Sequence, residues 1–194
     1  MSWRLSMSTL KVDNLLLLDN TKGTGRILEM VGGICDGQSI TTLSGTYSLE
    51  NVTSSQTLST SYADQKGSSI TYKPPEGTKQ VIYKLSFMMT HVDTHGLSHH
   101  RFYIDDDEVT DARTTYGGQY QQLQASFEWI IPIGGAADVG TTGRLSSWTT
   151  LKTLKIQARD YSSSNDAILH STQHWDGSGT DVFHRPKISV TAIG

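Results

Sequence analysis

Apolar side chains recur at every second position through most of this chain, in short runs broken by glycine, proline and small polar residues. That period is the signature of half-buried β-strands. Ile27-Leu28-Glu29-Met30-Val31 reads as a strand stopped by Gly32-Gly33, and 47–52, 56–62 and 69–73 read as short Ser/Thr-rich strands. Lys73-Pro74-Pro75-Glu76-Gly77 is a firm stop. It is followed by the most apolar stretch, 81–89, in which Tyr83, Leu85 and Phe87 share a face, and this predicts a central strand. Arg101-Phe102-Tyr103-Ile104 and Glu108-Val109-Thr110 flank Asp105-Asp106-Asp107 as a hairpin. Segments 123–131, 151–159, 167–170 and 187–193 complete the series. No window longer than about eight residues sustains a helical period. Roughly ten to eleven strands at this spacing predict an all-β fold, a jelly-roll-like antiparallel β-sandwich, over residues 27–194.

Residues 1–26 break the pattern and are read as an extended N-terminal arm. Leu10 and Val12 alternate with polar neighbours, and then Leu15, Leu16, Leu17 and Leu18 follow one another between Asp13 and Asp19. As a strand, four adjacent leucines point to both faces, and each face needs apolar cover that a short arm cannot give itself. The arm is therefore expected to pack on another subunit or another protein; the alternative is an edge strand of the same domain. The turn-rich stretch Asp19-Asn20-Thr21-Lys22-Gly23-Thr24-Gly25 links it to the domain.

Composition narrows the function classes. Ser and Thr make up about a quarter of the 194 residues, with 36% hydrophobic and 18% charged residues, 18 Gly and 4 Pro. This mixture favours strands and turns over amphipathic helices. A net charge of −3 gives no basic footprint for nucleic acid. The longest apolar run, four leucines, is far short of the ~20 residues of a membrane helix, so no membrane partner is expected. The single cysteine, Cys35, excludes an internal disulfide framework and a CxxC zinc site, and is expected to be a small buried hydrophobe.

Three groupings carry candidate chemistry. His91, His95 and His99, with Asp93 and His100 close by, share the parity of an extended face and form a candidate metal set; the competing reading is a solvated loop around Gly96 and Ser98. Trp148, Tyr161 and Trp175 sit in or beside predicted loops with Asp160, Asn165 and Asp176, a candidate aromatic platform for glycan; the competing reading is that these rings close the sandwich ends or an oligomer seam. Asp105-Asp106-Asp107-Glu108 lacks the spaced ligands of a calcium loop and reads as turn chemistry. Glu128 is the outward neighbour of Phe127 and Trp129, and no nucleophile elbow or phosphate-binding glycine loop follows a predicted strand. Neither an enzyme nor a cofactor is expected.

Several pieces resemble known proteins. Met7-Ser8-Thr9-Leu10-Lys11-Val12-Asp13 is similar to the opening of structural proteins of marine bacteriophages. Cys35-Asp36-Gly37, Ser61-Tyr62-Ala63-Asp64, Tyr72-Lys73-Pro74-Pro75-Glu76-Gly77-Thr78, 143–149, 157–161, His174-Trp175-Asp176-Gly177 and 188–194 resemble small virion structural proteins of marine bacteriophages and algal viruses. The resemblance implies a fibre, decoration or capsid-associated component located in the virion, often a homotrimer. Its partners would be its own copies and other virion proteins. From the arm's leucine pattern, Leu10, Val12 and Leu15 to Leu18 are the expected oligomer and attachment residues, and the aromatic platform leaves an alternative function open, a carbohydrate- or receptor-binding adhesin module with a host surface glycan as partner.

Overall fold

The computed structural model describes residues 25–91, 96–118, 122–163, 167–175 and 179–194, and in the last hairpin it describes side chains only up to Gln173 and again from Asp181. The arm residues Leu10, Val12 and Leu15–Leu18 lie outside the described residues, as does His95. Fifteen strands and one helical turn follow in order: β1 (Ile27–Ile34), β2 (Ser39–Thr41), β3 (Thr46–Ser48), β4 (Gln56–Thr57), β5 (Ala63–Asp64), β6 (Ile70–Tyr72), β7 (Gln80–His91), β8 (Gly96–Ile104), β9 (Asp107–Gly118), β10 (Gln122–Pro132), α1 (Val139–Thr142), β11 (Lys152–Asp160), β12 (Ala167–Leu169), β13 (Ser171–Trp175), β14 (Gly179–Phe183) and β15 (Lys187–Ile193). The chain is an all-β antiparallel sandwich. One sheet runs β1-β15-β7-β12-β4 with β10 on the other side of β7, and the facing sheet runs β5-β11-β8-β9 with β6 also on β11. From β7 to β12 the chain crosses repeatedly between the two sheets, the jelly-roll habit.

Alternation fills the space between the sheets. Val81, Tyr83, Leu85, Phe87 and Met89 of β7 are buried together with Phe102 and Ile104 of β8, Ala125, Phe127 and Ile131 of β10, Leu154, Ile156 and Ala158 of β11, and Ile188 and Val190 of β15. The Tyr83 hydroxyl stays satisfied inside this core by donating to the Ser68 carbonyl at 2.6 Å. Cys35 belongs to the same core; burial pushes its thiol up to about 12, so it stays protonated.

The hairpin at Asp105 forms as the sequence predicts. Asp105 takes the left-handed conformation (φ 56°) that aspartate tolerates, and its carboxylate accepts from the Thr153 N–H at 2.8 Å and the Lys152 ammonium at 2.7 Å. Elsewhere the expected strands are shortened. The run 56–62 forms only the two-residue β4, and the run 47–52 contributes only to β3, because these polar segments lie along the sandwich rim and pair for two or three residues at a time.

Leu85 is fully buried on β7, while its neighbour Lys84 points outward. Leu85→Ala is expected to cost about 2–5 kcal/mol of unfolding free energy, against less than about 0.5 kcal/mol for Lys84→Ala, both read by urea titration.

Candidate functional site

Strand β1 forms the rim of its sheet, and among the described residues it pairs only with β15. Its inward positions are buried. Val31 meets the core, and Glu29 is held inside by hydrogen bonds: the Tyr72 hydroxyl donates at 2.9 Å and the Ser44 N–H at 3.0 Å. Burial alone would raise the Glu29 carboxyl, but donors from Ser44, Thr42 and Tyr72 outweigh it and hold the group below its usual range. A charged, satisfied carboxylate therefore pins the 42–45 turn onto β1.

The outward side of β1 is apolar and open. Ile27, Met30 and Ile34 are 66%, 58% and 44% exposed. The ladders place Met30, Thr191, Ile82 and Ile130 in one row across four strands, then Gly32, Ser189, Lys84 and Glu128, then Ile34, Lys187, Ser86 and Ser126. Lys84 and Glu128 form an exposed ion pair at 3.5 Å. An exposed strand edge with apolar side chains is a docking template unless something covers it.

Among the described residues, Trp148 and Tyr161 of the candidate glycan platform do not come together. Trp148 is only 5% exposed and packs edge-on against Tyr72, with centroids 6.0 Å apart at 85°, so neither face of the indole is free to stack on a sugar. Tyr161 is 59% exposed, with its ring 6.1 Å from that of His99. Trp148 precedes β11 and Tyr161 follows it, so the two rings lie beyond opposite ends of a strand about 26 Å long at ~3.3 Å per residue. Trp175 ends β13, and its side chain is outside the described residues.

Of the candidate metal residues, His91 and His99 point to opposite faces, and His95 lies outside the described residues. The stretch predicted as one extended face or a loop is the end of β7 and the start of β8, so parity restarts at Gly96. His91 points inward and its ring lies on Gly96, where an added Cβ would sit 2.3 Å from His91 Cγ. His99 points outward, with Nδ1 3.2 Å from the Thr115 hydroxyl. Among the described residues no group of three or more His, Cys, Asp or Glu is placed to hold a metal ion.

What the sequence reading missed is a buried imidazole cluster at this end of the sandwich. His100, not His99, is the inward histidine of β8; its Nδ1 lies 3.0 Å from Gln65 Oε1 and its Nε2 3.1 Å from the Ser98 hydroxyl. His170, just after β12, places Nε2 2.9 Å from the Lys66 carbonyl. The rings of His100 and His170 flank Phe87 at 5.9 and 6.2 Å. Both His91 nitrogens, His170 Nδ1 and the Gln65 amide nitrogen have no hydrogen-bond partner among the described residues. Burial pulls His100 down to about 3, aided by neighbouring His99 and His91, and His170 down to about 4. The inward parity of 98, 100, 102 and 104 was the available signal for His100, and the shared parity of Glu29 and Val31 was the signal for Glu29.

Comparison with known proteins finds no matching family model and no matching curated protein.

Two outcomes follow from this geometry. Trp148→Ala is expected to destabilise the fold by about 3–5 kcal/mol through the cavity it leaves, measured by urea unfolding. His100 and His170 are neutral in the fold, whereas the unfolded chain protonates them near pH 6.5. As pH falls below 6.5 the unfolded state binds more protons, so stability drops, by about 2 kcal/mol for each histidine between pH 7 and pH 5. Unfolding curves at the two pH values check this, and equal stability at both would contradict it.

Proposed function

We propose that this protein is a virion structural component, a homotrimeric fibre, decoration or capsid-associated protein attached through its N-terminal arm. One observation carries the reading. The arm leads directly into the rim strand β1, and that strand presents Ile27, Met30 and Ile34 to the outside beside an edge that no other strand pairs with among the described residues. Isolated domains blunt such edges with charge, proline or a covering loop, whereas assembling domains use them. The sequence resemblance points the same way, since its implied partners are further copies and other virion proteins. The buried polar groups support a rigid scaffold role: the Glu29 cluster holds a turn, and the imidazoles lie inside the sandwich.

Light scattering tests the assembly. The full chain is expected at three times its 21.3 kDa mass. The chain lacking residues 1–24 is expected to run as a monomer with an unchanged β circular-dichroism spectrum, because the hydrogen bonds that seat the start of the domain, from the Gly25 N–H to the Gly194 carbonyl and from the Gly194 N–H to the Arg26 carbonyl, are retained. A full-length monomer would remove the reading. Immunogold labelling of intact particles tests the location.

A further inference from the structure

The outer side of the facing sheet, away from β1, gathers cations and rings. Leu154, Ile156 and Ala158 of β11 point into the core, so Lys155, Gln157 and Arg159 point out. The ladders set Arg159 opposite His99 and His99 opposite Thr115; Gln157 lies between Asp64 and Arg101. One residue further along the β5 register, Tyr62 falls beside Arg159. Two guanidinium groups lie against the Tyr62 ring, Arg101 at 3.9 Å from its centroid and Arg159 at 5.3 Å. Past the end of β11 the pairing continues, with the Tyr161 N–H donating to the Leu97 carbonyl at 2.8 Å. Tyr161 therefore stays on the outer side, exposed, with its ring 6.1 Å from that of His99.

Charge on this side is unbalanced. Glu108 is shared by Arg101 at 3.5 Å and Arg113 at 2.6 Å, one carboxylate for two guanidinium groups. Asp64 is taken by Lys155 at 3.3 Å and by the Gln157 amide at 2.9 Å. Asp111, exposed on β9, is two strands from β11, about 10 Å at ~4.8 Å per strand. The Asp160 carboxylate is buried, where it accepts from the Ala167 N–H at 3.2 Å. Arg159 has no ion pair among the described residues, and its one hydrogen bond goes to the Asp160 carbonyl at 3.4 Å. Burial and the guanidinium groups of Arg159 and Arg101 hold the His99 imidazole below its usual range, so a neutral ring sits in a positive field on a chain of net charge −3.

An exposed phenol beside a guanidinium without a carboxylate suits a sugar ring that carries an acid group. The tyrosine face covers the C–H face of a pyranose. Arg159, two residues back and so about 7 Å along the strand, is placed to hold a carboxylate at the pyranose edge in a bidentate fork. His99 and the Thr115 hydroxyl, 3.2 Å apart, offer polar atoms to the sugar hydroxyls. A nucleic-acid backbone needs a run of cations, and a peptide strand needs a free sheet edge; β11 and β8 are the inner strands of their sheet.

We propose that the outer side of β8 and β11 binds an acidic polysaccharide, with a uronate residue stacked on Tyr161 and its carboxylate on Arg159. The site lies on the sheet opposite β1, so its failure leaves the assembly reading untouched.

Titration of the full chain with oligomers of galacturonate, glucuronate and mannuronate tests it. At least one is expected to bind, and its neutral carboxyl-reduced counterpart to bind about tenfold more weakly or worse. Tyr161→Ala, at an exposed position, and Arg159→Lys, which keeps the charge and removes the fork, are each expected to weaken binding by about tenfold or more with the unfolding curve unchanged. Lys187→Gln, on the other sheet, is expected to leave binding as it was. No binding of any uronate oligomer would overturn the proposal, and so would equal binding of the neutral counterpart. Unaltered binding in the Tyr161 or Arg159 variant, or an equal loss in the Lys187 variant, would overturn the assignment to this surface. A sulfated galactan oligomer binding more tightly than every uronate would overturn the choice of carboxylate.

Discussion

Strand β7 is the interaction on which the rest of the structure depends. It pairs with β15 and β10 over its first half and with β10 and β12 over its second, while Val81, Tyr83, Leu85, Phe87 and Met89 fill the core from one face. Because side chains alternate, fixing these five inward fixes Ile82, Lys84 and Ser86 outward. The ladder to β15 then sets Thr191, Ser189 and Lys187, and the next ladder sets Met30, Gly32 and Ile34. The outer surface through which the protein is proposed to assemble is therefore laid down by core packing two strands away. A slip of one residue between β1 and β15 would turn Met30 inward and Glu29 out to solvent, breaking the Tyr72 and Ser44 hydrogen bonds together.

Long alternating segments were legible in the sequence, and short or mixed ones were not. The runs around Tyr83, Phe127, Ile156 and Val190 each carry enough inward apolar residues for period two to be unambiguous, and each is a strand. The runs around Thr57 and Leu49 carry one or two, so their pairing is decided by the neighbours they meet along the rim. The described site residues were hard to place for a different reason. Trp148 lies in a segment without regular structure, which suggested exposure, but Tyr72 covers its ring. His91 and His99 share odd numbers, but they lie on strands of different sheets, so numbering parity does not relate their faces. His100 and Glu29 could have been assigned inward from their own strands, since each shares a face with buried apolar neighbours.

The two ends of the sandwich handle buried polarity in opposite ways. At one, the Glu29 carboxylate remains charged because hydroxyl and backbone donors surround it. At the other, the imidazoles remain neutral because burial outweighs their few partners. A satisfied anion stiffens the 42–45 turn, and the exposed Leu43 at its tip is held on a rigid support. Neutral imidazoles contribute bulk and limited hydrogen bonding, and they behave as polar core residues at neutral pH.

Pairing β1 with β15 joins residues 27–34 to residues 187–193. A nascent chain can make the hairpin of β8 and β9 while translation is still under way, but its larger sheet stays incomplete until the Lys187–Ile193 segment has left the ribosome. Contacts of such long sequence separation are slow to form. Strand β1 is therefore translated long before β15, the partner that sets its register, and the outward row of Met30, Gly32 and Ile34 takes its final form only once β15 has emerged.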